Sequence, residues 1–512
     1  MSIDAGFISI AAAVAVSFAA FLFYKYPDSG FLDPPRKSIP YKKGLPILGN
    51  LVEIIANIDR YYEYVCDIFE ELDTSTFRFT QPLLPSLTNT VDPKNVEYIL
   101  KTNFENYEKG PYFNKLMYDL VGDGIFGTDG DVWRVQRKVA SRIFHVKNFR
   151  DKFTRVFLDQ INIASEHVFD KAAEENQVID FHDIMFRFTM DSFAQLGFSV
   201  QLNSLISRAD FADSFDALQM HAFKRFMIPF IDTIERIKHY THYWTERKSI
   251  QQHVSTVNSF AYGIIQERRK KDLLHHDEDS DSDLLYRFMT CKNVDGNLLS
   301  DTDLRDTILN FIIAGRDTTA LALSWTFYNL LMYPEIEERV LQEVQQYVTD
   351  DVESDSVRLY EVVQKMTYTH AVFYEVLRLY PSVPGEQKEA LNDDVWPDGT
   401  QIRKGDQISW QPFVQGRITG IWGADAKEFK PQRWISDEGS LIRVSPYQWT
   451  AFNAGPRVCL GQNLAILEAI IAISLMIKRY KFKRVEGHQV IILNLITLSM
   501  KDGMKITVEK RQ

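Results

Sequence analysis

Phe452-Asn453-Ala454-Gly455-Pro456-Arg457-Val458-Cys459-Leu460-Gly461 sets a single cysteine in a loop bracketed by two glycines and an arginine. Gly455 and Gly461 allow the backbone to approach something flat and bulky. Arg457 carries a charge that does not titrate and favours an anion or thiolate nearby. The chain then turns helical and apolar from Gln462 to Ile470. The sulfur therefore precedes a helix N-terminus, where the dipole favours its ionised form. A lone cysteine is more often a small buried hydrophobe than a ligand. The ten-residue pattern makes Cys459 a candidate metal ligand.

Upstream, a helix is expected from Ser300, where Ser300-x-x-Asp303 reads as a capping box, to Tyr333, where Pro334 stops it. Such a helix runs about 50 Å, the width of a domain. Its apolar interior is broken by Ala314-Gly315-Arg316-Asp317-Thr318-Thr319, poor helix formers with one acid among them. Phe311, Ala314, Gly315 and Thr318 are expected on one face. There Gly315 removes bulk and Thr318 bonds back to a carbonyl, opening room for a small ligand and water. Trp133 and Arg137 stand four apart on another helix, and Glu375 and Arg378 stand three apart. Pro431-Gln432-Arg433-Trp434 follows them.

These motifs, in this order, resemble the cytochrome P-450 superfamily of haem-thiolate monooxygenases over about residues 30–505. The resemblance implies a mainly α fold with a smaller β-rich subdomain. It implies haem b with Cys459 as the iron ligand, Phe452, Gly455, Ala314 and Gly315 beside the haem, and Trp133, Arg137 and Arg457 at its propionates. Asp317 and Thr318 correspond to the acid and alcohol that relay protons to bound dioxygen. Glu375, Arg378 and Arg433 correspond to a structural lock. Phe311, Val383 and Leu495 fall where members line the substrate pocket. Finer text, Ala-Gly-Arg-Asp-Thr-Thr, Phe-Asn-Ala-Gly-Pro-Arg and Trp422-Gly423-x-Asp425, is similar to the plant and fungal fatty-acid and alkane hydroxylases. That points to terminal or near-terminal hydroxylation of a long aliphatic chain. Some animal relatives carry Glu at the position of Ala314 and esterify the haem; Ala314 cannot. Alternatives are a monooxygenase of a sterol, terpenoid or xenobiotic, a haem-thiolate isomerase or peroxygenase, and a lipid or gas sensor without turnover. The intact acid-alcohol pair argues against the last two.

The chain has 512 residues, 45% of them hydrophobic, enough for one large catalytic unit able to enclose a haem. Three scattered cysteines cannot build a disulfide framework, which suits a reducing compartment. A net charge of -11 argues against nucleic acid as a partner. From Ala5 to Tyr24 no residue is charged. As a helix this run spans roughly 30 Å, one hydrocarbon core. With Lys25, Arg36, Lys37, Lys42 and Lys43 following, it reads as a single-pass anchor in the endoplasmic reticulum with the rest cytosolic. The expected domains are an anchor (1–26), a proline-rich hinge acting as a semi-rigid spacer (27–48) and the monooxygenase domain (49–512).

Residues 76–91 read as a hairpin, 381–410 as short strands and turns, 491–498 as a further strand, and 145–270 as mostly helical. His275–Asp283 reads as a solvated loop. No glycine fingerprint for a nucleotide or flavin is present, so electrons are expected from NADPH through a separate diflavin reductase or a cytochrome b-type donor. Lys427, Lys430, Arg443 and Arg457 are candidate docking charges. His221, Lys224 and Arg225 are candidates for a substrate's polar end.

Overall fold

The computed structural model describes residues 5–143, 149–207, 211–240, 248–274 and 283–511. Residues 275–282 of the expected acidic loop lie outside this set. Asp283 itself is buried, donates no surface charge, and ion-pairs with Arg268 at 2.8 Å. The uncharged N-terminal run is helical, α1 (Ala5–Lys25). Among the described residues no helix is long and apolar enough to cross a membrane. The anchor reading thus rests on sequence alone.

The proline-rich stretch differs from the expected spacer. Tyr26, Ser29 and Ile39 are buried, Arg36 pairs with Asp406, and Arg78 reaches Asp33 at 3.1 Å. Fixed proline torsions preorganise these turns against the neighbouring sheet instead of holding the chain away from it.

After α2 (Tyr61–Leu72) the expected hairpin forms, β1 (Thr76–Arg78) against β2 (Leu87–Thr90), with Thr76 opposite Thr90. With β3 (Tyr107–Glu108), β4 (Glu386–Ala390) and β5 (Gln407–Trp410) it makes a five-stranded sheet in the order β1-β2-β5-β4-β3. The β2–β5 pair is parallel, with Thr88 beside Ile408. That parallel join ties segments more than 300 residues apart into one β-rich subdomain. The expected C-terminal strand, Ile491–Asn494, pairs antiparallel with Leu498–Lys501.

Helices make the rest of the body: α3 (Gly130–Ser141), α4 (Phe181–Phe198), α5 (Phe211–Met227), α6 (Asp301–Ile312), α7 (Thr318–Met332), α8 (Thr367–Leu379) and α9 (Gln462–Arg479). Ser300 and Asp303 form the capping box that starts α6. The expected single helix is interrupted by one π turn, Ile313–Asp317, before α7 continues. A wider turn inside an α-helix rotates the faces on either side of it. α9 is buried along most of its circumference, as its continuous apolar sequence requires.

Arg378 and Glu375, both without exposed side-chain surface, form a two-point pair at 2.7 Å. The remaining guanidinium N–H groups donate to the carbonyls of Gly416, Ala426 and Glu428. Glu375 also accepts from the Trp434 indole at 2.9 Å and from the Lys430 amide at 2.8 Å. A buried charge pair is tolerable only with its remaining polar atoms satisfied in this way. The pair locks α8 to the segment leading into the Cys459 loop, the structural role expected of it.

Candidate active site

The loop closes on itself just before α9, where the Cys459 amide donates to the Phe452 carbonyl at 2.8 Å. Phe452 packs edge-on to Trp449, with centroids 5.8 Å apart. Cys459 is exposed, yet burial pushes its thiol upward, a combination met by sulfur facing an internal space. The amides of Gly461 and Gln462 and the charge of Arg137 pull the other way. Burial wins over the helix terminus, so the dipole alone does not secure the thiolate; a bound metal cation would deprotonate the thiol outright.

The two loop glycines divide their work. A Cβ on Gly461 would lie 3.9 Å from the Cys459 sulfur, so this residue keeps the sulfur accessible. Gly455 has φ +64°, and a Cβ there would sit 2.0 Å from the Leu100 carbonyl. That close approach is to the protein's own backbone.

Trp133 is buried between two guanidinium groups, Arg457 at 4.4 Å and Arg137 at 5.8 Å from its ring. Arg137 donates to the Val458 carbonyl at 2.6 Å, tying α3 to the residue before Cys459. Arg457 pairs with Asp129 at 2.5 Å and is almost wholly buried, which removes it from the expected surface docking set. Among the described residues its Nε has no hydrogen-bond partner, and neither has the Nζ of Lys388, which is 1% exposed on β4. Burial, reinforced by Arg457 and Lys109, depresses Lys388 far below an ordinary lysine. These unmet donors, one in the same loop as the sulfur and the other near Arg457, fit an iron porphyrin with two carboxylate arms. Lys388 was missed in the sequence. A lysine at a buried position of a short strand was the available signal.

Against the central helix lies a cavity lined mainly by apolar groups, among them Phe113, Met117, Phe223, Phe226 and Ile313. Ala314, Thr318 and Val383 line it as expected. Phe311 does not; it stacks on Phe193 and packs against Phe288 in the core. Gly315 likewise faces α4, where a Cβ would meet the Phe193 ring at 2.1 Å. It serves helix packing and does not open the ligand side. Both differences follow from the π turn, which brings Ile313 and Thr318, five apart, onto the cavity face. Leu495 is also a correction: its side chain is buried away from the lining and its carbonyl accepts from the Tyr62 hydroxyl at 3.2 Å. Its neighbours Ile496 and Thr497 line the cavity instead.

The Thr318 hydroxyl donates to the Ala314 carbonyl at 2.6 Å, as expected. Asp317 points behind the helix, fully buried, accepting from Gln219 at 2.7 Å and Arg316 at 2.7 Å. Burial raises its carboxyl to about 6 against the pull of Arg316. Arg316 extends to Asp216 at 3.1 Å, whose side chain is half exposed, and Gln219 accepts from Thr497 on the cavity wall at 3.3 Å. Asp317 is therefore linked both to solvent and, through Gln219, to the cavity. Sequence reading missed Gln219 and Thr497, which lie on α5 and the C-terminal turn. His221 and Arg225 are held by Asp232 at 2.6 and 2.9 Å, and Arg225 also by Asp119 at 2.7 Å. They clamp α5 and, with Lys224, are not among the cavity-lining residues.

The family profile described as Cytochrome P450 matches residues 39–504. The chain is 37% identical over 494 residues to "Cytochrome P450 704C1" of Pinus taeda, covering 92% of this chain and 93% of that protein. It is 36% identical over 486 residues to "Cytochrome P450 86B1" of Arabidopsis thaliana, covering 92% and 86%. It is 32% identical over 490 residues to "Alkane hydroxylase MAH1" of the same plant, covering 94% and 96%.

Proposed function

The chain belongs to the cytochrome P450 family, haem-thiolate monooxygenases served by a redox partner, and from that premise we propose that it hydroxylates a long aliphatic chain at or near its end. The observation that carries this reading is the cavity: an apolar, aromatic wall that meets Thr318 and Ala314 at the central helix. At that end the lining desolvates hydrocarbon and brings it to the central helix. Similarity to a protein named an alkane hydroxylase supports the same class.

In this reading Cys459 ligates the iron, with Phe452 and Ala314 against the haem and Trp133, Arg137, Arg457 and Lys388 serving its carboxylates. Bound there, haem iron with a thiolate ligand supplies the activation of O2. Thr318, its hydroxyl proton committed to the helix, presents oxygen lone pairs to the cavity and holds a proton donor there. Asp317, raised toward neutrality and linked to half-exposed Asp216, replenishes protons from behind the helix without admitting bulk water. The ionised form costs more in its buried site, which is why it retains a proton close to working pH.

Electrons come from a diflavin NADPH reductase docking near Arg443, an exposed cation, with Lys427 and Lys430 available from surface pairs to Glu70 and Asp425. The uncharged run 5–24 anchors the protein to the endoplasmic reticulum membrane as a single pass with a cytosolic catalytic domain, residues 27–48 joining anchor to catalytic domain (49–512). Exposed apolar residues Val52, Leu83 and Phe230 lie near cavity-lining Ile54, Pro85 and Met227 in sequence, which supports entry of substrate from lipid.

The test is reconstitution with reductase and NADPH, offering a long-chain fatty acid, an alkane and a compact sterol, with products identified by mass spectrometry. Terminally hydroxylated chain products are expected; turnover of the sterol alone overturns the reading. Thr318→Ala should retain substrate binding while diverting NADPH to hydrogen peroxide; unchanged coupling removes Thr318 from proton handling.

A further inference from the structure

The far wall of the cavity is not apolar. Ser409 and Gln411 alternate on β5 and its extension, so both face the same side. Gln387 of β4 stands directly opposite Ser409. Gln411, 2% exposed, donates to Asn89 at 3.2 Å, Gln387 donates to Gln407 at 2.7 Å, and Gln81 donates to the Pro85 carbonyl at 2.9 Å. The amide nitrogens are thus engaged with protein, and the Gln411 side chain also meets the Tyr61 hydroxyl, while among the described residues the Gln411 carbonyl oxygen is buried without a partner. A buried acceptor left unmet is costly unless a ligand supplies a donor.

Charge in the cavity is balanced. Its charged lining residues, among the described ones, are Lys109 and Glu386, paired at 2.9 Å. The other titratable lining groups are Tyr61, Tyr62 and Tyr112, all raised by burial and so neutral hydroxyls. No spare cation is available to a carboxylate, whose charge would be buried against neutral amides and hydroxyls without a counter-ion. Ser382 donates to the Thr318 carbonyl at 2.6 Å, and Gln387 follows five residues later. Fully extended chain bounds that interval at roughly 17 Å. One linear molecule can therefore reach from the Thr318 end to the amide stripe.

We infer that Gln411, with Ser409 and Gln387, forms a headgroup subsite that selects aliphatic substrates ending in a neutral hydroxyl over those ending in a carboxylate. This rests on the aliphatic-chain reading above. The alcohol proton goes to the unmet Gln411 oxygen, and its own oxygen accepts from the Ser409 hydroxyl.

The test is equilibrium binding to the haem-loaded protein, read by the haem spectral shift, with dodecan-1-ol, dodecanoate and dodecane. At about pH 8 dodecan-1-ol should bind at least about tenfold tighter than dodecanoate. Dodecanoate affinity should rise about tenfold for each unit the pH falls toward the carboxyl's own pKa, because only the protonated acid is accepted, while dodecan-1-ol stays level. Gln411→Leu should abolish the preference for dodecan-1-ol over dodecane and leave dodecane binding intact. Should that variant not fold, the wild-type pH series decides alone. Dodecanoate binding as tightly as dodecan-1-ol at about pH 8 overturns the headgroup subsite and leaves the chain reading standing. Absence of binding by all three overturns the chain reading itself.

Discussion

The Cys459 loop and the substrate cavity are built on opposite principles. On the loop side, chemistry is concentrated in ten consecutive residues and anchored by the Glu375–Arg378 pair, whose polar atoms are met by named carbonyls, an indole and an amide. On the cavity side, the wall is gathered from α2, the β1–β2 loop, α5, the π turn, β4, β5 and the C-terminal turn, each contributing one or a few side chains. A metal ligand needs fixed coordination and is held by a dense local network. A substrate wall needs shape and is assembled from dispersed parts. The loop side should therefore fail abruptly when altered and the cavity side by degrees.

The largest effect expected is at the sulfur itself. Cys459→Ser should abolish the red-shifted Soret band of the ferrous carbon monoxide complex; retention of that band would remove Cys459 as ligand. Next is Arg378→Ala, which leaves the Glu375 charge buried without its partner. It should lower unfolding free energy by about 3–5 kcal/mol, measured by urea denaturation. A loss under about 1 kcal/mol would show the two sides to be equally tolerant.

Asp317, behind the cavity wall, can be tested through pH. Its carboxyl is raised from 3.8 to about 6 in the folded protein, so the folded state holds the proton more tightly than the unfolded chain. Its contribution is present below 3.8 and is lost as pH rises to about 6, a difference of roughly 3 kcal/mol. Asp317→Asn cannot ionise and should lack that component of the wild-type decline. Parallel stability curves for the two proteins across this window would contradict the buried placement. The smallest change belongs to Gly315→Ala, whose methyl meets the Phe193 ring. An aromatic ring can shift, so a loss of about 1–3 kcal/mol is expected, with the haem spectrum unchanged. An altered spectrum would return Gly315 to the ligand side.

The hairpin at 76–91, the capping box at Ser300 and the Thr318 back-bond were legible because each depends on interactions within a few residues. Phe311, Gly315 and Leu495 were misassigned because α-helical periodicity and strand alternation were extended across a π turn and a tight turn, where neither period holds.

By itself, then, the sequence determined the family, the iron ligand candidate, the placing of the long helix and the chemistry of its polar break. Those rest on contiguous motifs whose geometry is local. Tertiary structure alone decided that Asp317 faces Gln219 and Arg316, that the buried Lys388 amine has no hydrogen-bond partner among the described residues, and that β2 lies beside β5 so that Gln411 meets Asn89 across the cavity wall. Each of these joins side chains far apart in the chain, and burial, the term that sets their charge and their unmet bonds, arises only when the distant segments pack together.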